Sequence, residues 1–236
     1  MSNPVLNDKI FNQVRDVSDT SKMTIAGTIN KSGLLILLTI LGAMFGWNQH
    51  SVFLLFGSLI INLGLVFAIS FKPQRASFLS QPYAFLEGAL LGSISSTYAL
   101  LYPGIVTNAL LLTLCCLVLM LALYKFRIIR VTDQLRSVLM VATMAIAATY
   151  FINIILSFFG THIPMIHEGT TAGIIFSVAV VGVAAFNLLL DFDMIEQLSM
   201  RGAPRYMEWY GGFALLVTIV WLYLEILRLL SKLNRK

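Results

Sequence analysis

The sequence has few charged residues: Asp, Glu, Lys and Arg together account for 11% of its 236 positions, whereas hydrophobic residue types account for 58%. A soluble domain usually carries about a quarter charged residues. This chain has too few charged groups to cover its apolar side chains in water, which excludes a soluble globular protein. The composition therefore predicts an integral membrane protein with the lipid bilayer as part of its solvent.

The chain also has only two cysteines, Cys115 and Cys116, which are adjacent and lie inside an apolar run. Adjacent cysteines are poorly placed to form a disulfide with each other, and buried thiols behave as small apolar groups. The two cysteines therefore indicate neither a disulfide framework nor a redox compartment.

The net charge of +5 does not indicate a nucleic-acid-binding protein, because the basic residues cluster between apolar runs. Basic connections around Lys72, Arg130 and Arg201 alternate with connections that lack Lys and Arg, and the N-terminal segment is also basic. Basic residues are enriched in the cytoplasmic connections of membrane proteins. This pattern predicts a multi-pass protein whose N-terminus lies in the cytoplasm.

The first 32 residues are polar and contain no apolar core of the kind that a signal peptide needs. We therefore expect two parts, a cytoplasmic polar N-terminal tail at 1–32 and a seven-span transmembrane domain at 33–236.

Seven apolar segments follow the tail, and a helix needs about 20 apolar residues to cross the hydrocarbon core. Runs that are apolar all round favour membrane helices, whereas a barrel would show short alternating segments. The predicted fold is an all-α membrane protein, a bundle of seven transmembrane helices. The segments are 33–47, 51–71, 82–101, 104–124, 137–159, 171–192 and 209–231.

The basic C-terminal segment conflicts with this alternation. Seven spans place the end of the chain on the side opposite the N-terminus, yet this segment contains Arg228, Lys232, Arg235 and Lys236. Either the last segment enters the membrane and returns to the cytoplasm, or all seven segments cross the membrane and the basic residues of the earlier connections determine the orientation of the protein. We favour seven spans because the early spans usually dominate.

Acidic side chains lie within or at the edge of the apolar segments, at Glu87, Asp191, Asp193 and Glu225. An ionised carboxylate in hydrocarbon is costly, so such groups usually face the bundle interior, pair with another group or take up a proton. Two buried carboxyl groups close together titrate as one coupled unit, which can change charge near physiological pH. This chemistry predicts a pH-gated path for cations.

Asp191 and Asp193 point in different directions, because two residues along a helix are about 200° apart. Asn187 precedes Asp191 by four residues and shares its face. We therefore interpret Asp191 as the working acid and Asp193 as an interfacial charge. The alternative is that the span is complete at Leu190, which would leave Asp191 among the lipid headgroups.

Glu225 is surrounded by apolar residues, and Arg228 follows three residues later, where an intrahelical pair can form. Glu225 is therefore either a working acid or half of a neutralised pair near a helix end. Glu87 lies one or two turns into its span, as either a structural stabiliser or a pore-lining group. Glu208 precedes the last span, as a favourable charge near a helix N-terminus.

The pair His162 and His167, with Glu168 nearby, offers too few ligands at too wide a spacing to predict a metal site. The sequence contains no GxSxG motif, no phosphate-binding loop, no HExxH motif and no GxGD motif. We therefore expect no enzymatic activity, no metal and no cofactor.

Three stretches are similar to those of a known family: "MTIAGTINKSGLLILL", "YAFLEGALLGSISSTY", and "FNLLLDFDMIEQLSMRGAPRYMEWY" with the following "LLVTIVWLYLEILRLL". Together they resemble the Bax inhibitor-1 family, in its bacterial YccA-like branch, over most of the chain from about Met23 onward. The resemblance implies a bacterial inner-membrane protein in which six spans surround a central last helix.

The resemblance also implies a pair of acids, one late in the sixth span and one in the seventh, that senses pH and opens a leak for calcium. Asp191 matches the first acid, with Gly202 and Tyr206 following at the expected spacing. Leu216 stands where the second acid should be, and Glu225 fits only with an insertion.

We therefore expect Asp191 to gate the path, Asp193 to be a charge of its cytoplasmic vestibule, and Glu225 or Glu87 to be the acidic partner. Arg75 and Arg228 are the candidate basic partners. The resemblance also allows, as the alternative, a regulatory protein that binds a membrane-bound protease complex through its polar tail, since flexible tails suit capture by partners. A proton-coupled transporter of a small solute is a third alternative.

Overall fold

The computed structural model describes residues 22–49 and 52–235, and these ranges fold as helices and short connections without a strand. A 3₁₀ turn, Pro73–Arg75, precedes the third helix. The helices of these ranges are α1 (Ile25–Gly46), α2 (Val52–Phe71), α3 (Ala76–Leu101), α4 (Ile105–Lys125), α5 (Asp133–Phe158), the short α6 (Pro164–His167), α7 (Thr171–Met200) and α8 (Met207–Asn234).

In the described part of the chain, six helices are long and apolar enough to cross a membrane, namely α1, α3 with its preceding turn, α4, α5, α7 and α8. The helix α2 contributes a shorter apolar stretch, Gly57–Phe71. Each of the seven apolar segments of the sequence therefore coincides with one helix. The prediction of an all-α membrane protein built as a helix bundle is confirmed.

The last helix is the most buried of the six. Half of its most apolar stretch (50%) is buried, compared with 11% in α5. The central position of the last helix stays a prediction.

The helix α1 begins at Ile25, before the boundary expected at residue 33. Thr24 has extended backbone, and its side chain accepts a hydrogen bond from the backbone N–H of Gly27, which caps the helix. Residues 1–21 lie outside the described ranges, so the division into a tail and a transmembrane domain stays a prediction.

The chain divides into two compact units. The first unit takes the described residues up to Leu101 together with Asp191–Val217, that is α1 to α3, the end of α7 and the start of α8. The second takes Tyr102–Leu190 and the described residues from Thr218 onward, that is α4 to α6, most of α7 and the remainder of α8.

In the first unit, α1 and α3 pack with their backbones in contact through two GxxxG pairs. A β-carbon on Gly88 would overlap the carbonyl oxygen of Thr39, and one on Gly42 would overlap that of Phe85. Small residues at such spacing let membrane helices approach closely. The glycines of "GALLGSISS" therefore allow α3 to approach α1 closely. The four glycines are Gly42, Gly46, Gly88 and Gly92.

The connection between α7 and α8 also belongs to the first unit. Gly202 adopts a positive φ of 67°, a conformation that L side chains rarely take, and so allows the chain to turn after α7. The carbonyl oxygen of Ala203 then accepts a hydrogen bond of 2.7 Å from the backbone N–H of Met23. This bond attaches the segment before α1 to the α7–α8 connection.

In the second unit, polar side chains join α5 to its neighbours. Asn187 on α7 donates to the hydroxyl group of Thr143 on α5 at 3.0 Å. The side-chain oxygen of Asn153 on α5 accepts from the backbone N–H of Ile163 at 2.9 Å, which holds the segment before α6. Hydrogen bonds of this kind position helices in a membrane, where apolar contacts alone give little orientation.

Candidate functional site

Asp191 lies inside α7, nine positions before the end of that helix at Met200, and is buried with 7% of its surface exposed. Its carboxyl group is close enough to the fully buried phenol of Tyr210, near the start of α8, to interact with it electrostatically. A carboxyl group in such a place is costly to ionise and is retained in membrane proteins mainly for function.

Asp193 is half-buried and accepts a hydrogen bond of 2.6 Å from the side chain of Gln197, one turn later on α7. Because α7 continues to Met200, Asp193 does not mark the end of the helix. Its interpretation as a vestibule charge stays a prediction.

Glu87 lies on α3 and is half-buried. Its carboxylate accepts a hydrogen bond of 2.7 Å from the side-chain amide of Asn62 on α2, and Asn62 itself is only 3% exposed. A polar pair between two apolar helices indicates that α2 and α3 are held in a defined register. Sequence reasoning did not find Asn62, whose only signal is an amide in the middle of an apolar run.

Glu225 is the most thoroughly buried of the four acids, with 2% of its surface exposed. Its two oxygens accept from the hydroxyl of Tyr150 on α5 at 2.8 and 2.9 Å and from Arg228 at 3.0 and 3.1 Å. The indole N–H of Trp221 donates to the same carboxylate at 3.3 Å. The intrahelical pair of Glu225 with Arg228 that the sequence predicts is therefore present.

Arg228 also bonds to the hydroxyl oxygen of Tyr150 and lies 4.8 Å from the centre of its ring. A phenol that donates to a carboxylate and accepts from a guanidinium group connects the two charges into one network. We call the four side chains of Tyr150, Trp221, Glu225 and Arg228 the α5–α8 cluster.

The other predicted residues have simpler surroundings. Asn187 is half-buried and donates to the carbonyl oxygen of Val183 as well as to Thr143. Arg75 is exposed in the 3₁₀ turn before α3. The pairing of Asp191 with a second acid or with Arg75 stays a prediction.

Glu208 has a larger role than a charge near a helix N-terminus. It is 3% exposed, and it accepts from the backbone N–H and the hydroxyl of Thr24 at 2.9 and 3.0 Å. It also forms an ion pair with Lys31 on α1, whose ammonium group lies 5.3 Å from the centre of the Trp209 ring. These contacts hold the start of α1 against the start of α8.

Lys232 is the residue that sequence reasoning missed most clearly. It is 1% exposed, although the sequence places it among the basic residues of the C-terminal segment. The sequence does contain a signal for this burial. Lys232 follows Glu225 by seven residues and Arg228 by four, so the three side chains share one face of α8.

Within residues 22–49 and 52–235, no group of three or more His, Cys, Asp or Glu side chains is placed so that it could hold a metal ion. The side chain of His167 lies outside the described part of the chain.

Comparison with known proteins assigns the chain to a family. No curated protein matches the sequence significantly. The sequence profile of the family described as "Bax inhibitor 1 like" matches residues 3–235, nearly the whole chain. With its apolar helices, this chain is a multi-pass membrane protein that belongs to the Bax inhibitor 1 like family.

Proposed function

We propose that this protein forms a pH-sensitive leak path for cations across a bacterial inner membrane, with calcium as the expected ion. Asp191 is the acid whose protonation opens or closes the path. The proposal assigns a transport role and no catalysed reaction. The N-terminus lies in the cytoplasm, as the basic connections indicate.

The burial of Asp191 inside α7 carries the proposal. The side chain is 7% exposed in a helix that is long and apolar enough to cross the membrane. A change in the charge of a buried carboxyl group alters the packing of the helices around it, which is a known means of switching between two arrangements. Tyr210 on α8 is the neighbour through which such a change would reach the last helix.

Two further arguments support the choice of ion. Carboxylate oxygens are ligands that calcium prefers, and Glu87 supplies a carboxylate on α3, where the side-chain amide of Asn62 on α2 donates to it. The resemblance to the Bax inhibitor-1 family also favours calcium. The alternative role, binding and regulating a membrane-bound protease complex, depends on the N-terminal tail, of which residues 1–21 lie outside the described residues.

The test is calcium flux into proteoliposomes that contain the full chain, between about pH 5 and about pH 8, the range in which a buried carboxyl group can change its charge. We expect a pH-dependent leak that Asp191→Asn makes independent of pH. The matched control is Asp133→Asn, which changes an exposed aspartate at the start of α5 in the same way and should keep the pH response.

Absence of a leak at every pH, from protein shown to be folded and inserted, would overturn the proposal, and so would an Asp191→Asn variant that responds as the unchanged protein does. Deletion of residues 2–21 distinguishes the leak from the regulatory role. The deletion should leave the calcium flux intact, whereas it should abolish binding to a protease complex if the tail is the binding element.

A further inference from the structure

The ammonium group of Lys232 is enclosed by oxygen atoms from α6 and from the first turns of α7. It donates to the carbonyl oxygen of Met165 at 2.7 Å, to that of Gly173 at 2.9 Å and to the hydroxyl of Ser177 at 2.7 Å. Both Lys232 and Ser177 are 1% exposed. We call Met165 O, Gly173 O and Ser177 Oγ the oxygen cage.

The number of acceptors matches the number of donors. An ammonium group has three N–H donors and no acceptor, and the cage supplies three oxygens. All three oxygens are neutral, two from backbone carbonyl groups and one from a hydroxyl. Neutral carbonyl oxygens that replace a hydration shell are how protein sites hold monovalent cations such as K⁺, whereas Ca²⁺ sites rely on carboxylates.

Glycines allow the cage to close. A β-carbon on Gly173 would lie 2.5 Å from the carbonyl oxygen of Glu168 and 3.1 Å from that of Met165, so a larger residue would displace a cage oxygen. A β-carbon on Gly169 would lie 3.0 Å from the carbonyl oxygen of Lys232 itself. The segment between α6 and α7 is therefore packed directly against the end of α8.

The charges nearby do not explain why a lysine is buried here. Glu225 attracts the ammonium group, but Arg228 and Arg235 repel it. Glu225 is in addition bonded to Arg228 and Tyr150. The direct compensation for burying the charge of Lys232 comes from the cage oxygens.

We propose that the oxygen cage is a monovalent-cation site in which the ammonium group of Lys232 takes the place of a metal ion. The lysine is a covalently attached cation, which fixes the end of α8 to α6 and to the start of α7 and excludes free ions from the cage. Once the ammonium group is removed, the cage binds K⁺, Rb⁺ or a small alkylammonium ion. The proposal is independent of the leak, because binding is measured without flux.

The test is the thermal unfolding of full-length Lys232→Ala in detergent, purified and measured in KCl, RbCl, methylammonium chloride or choline chloride at equal ionic strength. A cation present at about 100 times its Kd should raise the Tm by about 5–10 °C relative to choline, which is too large for the cage. The unchanged protein and Lys125→Ala, which removes an exposed lysine at the end of α4, should show no such difference.

Ser177→Ala in the Lys232→Ala background removes one cage ligand and should lower the apparent affinity for the ion at least tenfold. A Lys232→Ala protein whose Tm is the same in all four salts overturns the proposal, because the three oxygens then accept hydrogen bonds from the lysine but do not bind a free cation. A variant that fails to fold in every salt overturns it as well, because an ion in the cage should restore the fold.

Discussion

The carboxylate of Glu208 occupies the space that a β-carbon on Gly27 would need. This close approach lets Glu208 reach the backbone N–H of Thr24 and the ammonium group of Lys31 in the same place. The start of the last helix is thereby attached to the start of α1. The glycine of "MTIAGTINKSG" is thus explained by a contact 181 positions away in the chain.

Gly27→Ala should destabilise the protein, because the added methyl group displaces the Glu208 carboxylate from its three donors. Overpacking of this kind typically costs about 1–3 kcal/mol. We expect the Tm in detergent to fall by about 2–4 °C for each kcal/mol. Gly33→Ala on the same helix is the control: a β-carbon there meets nothing within 4 Å, so an unchanged or slightly raised Tm is expected.

The ion pair of Glu208 with Lys31 should show measurable coupling in a double-mutant cycle with Glu208→Gln and Lys31→Met. The side chains are 4% and 17% exposed, so solvent screens the pair only partly. We expect a coupling free energy of about 1–3 kcal/mol from unfolding of the four proteins. Additive effects of the two substitutions would contradict the contact.

Packing of α1 against α3 should depend on the two GxxxG pairs. Gly88→Ala places a methyl group on the carbonyl oxygen of Thr39, so the two helices must separate and lose contact along their length. We expect a loss of about 2–3 kcal/mol or more, seen as a lower Tm and a smaller folded fraction after purification. Gly64→Ala on α2 is the matched control, since its β-carbon meets nothing within 4 Å; an equal loss in both variants would refute the explanation.

Tyr150→Phe should weaken the α5–α8 cluster, because the lost hydroxyl is both a donor to Glu225 and an acceptor for Arg228. The cost of leaving buried charged groups with fewer partners is about 1–3 kcal/mol. Unfolding of the variant in detergent measures this cost. Tyr98→Phe is the comparison, since no hydrogen bond of the Tyr98 hydroxyl is found among the described residues, and it should leave stability unchanged within about 0.5 kcal/mol.

The C-terminal segment should lie on the side of the membrane opposite the N-terminus. Arg228 is paired with Glu225, and Lys232 is enclosed by the oxygen cage. Two of the four basic residues of this segment are therefore bonded within the protein and do not count as the free basic charges that favour the cytoplasmic side. In a variant with Cys115 and Cys116 replaced by serine, Asn234→Cys should react with a membrane-impermeant maleimide added to intact cells. Labelling only after the cells are opened would place the C-terminal segment on the same side of the membrane as the N-terminus and contradict the prediction.

The positions of the helices could be predicted from the sequence, because the signal is local. In hydrocarbon every backbone N–H and C=O group must be bonded within its own segment, so a long apolar run has few options other than a helix. Each of the seven apolar segments accordingly corresponds to one helix of the structure. The intrahelical pair of Glu225 with Arg228 was predictable for the same reason, since both residues lie within one turn.

Other features were decided by contacts between residues far apart in the chain. The sequence places Lys232 among the basic residues of the C-terminal segment and Glu208 near a helix N-terminus. In the structure, both side chains are buried. Likewise, no local pattern connects Tyr150 with Glu225, which are 75 positions apart, or Asn62 with Glu87 on the next helix.

The sequence by itself therefore determined that the chain enters a membrane, where its helices run and which acids lie among apolar residues. Only the tertiary structure decided which of those polar groups are bonded to one another, because each bond requires two helices to meet at one depth and in one orientation. That meeting depends on the glycines that permit close approach and on the turns between helices. In a low-dielectric interior, the partner of a charge determines whether it stabilises the fold or remains available to respond to pH or to bind an ion.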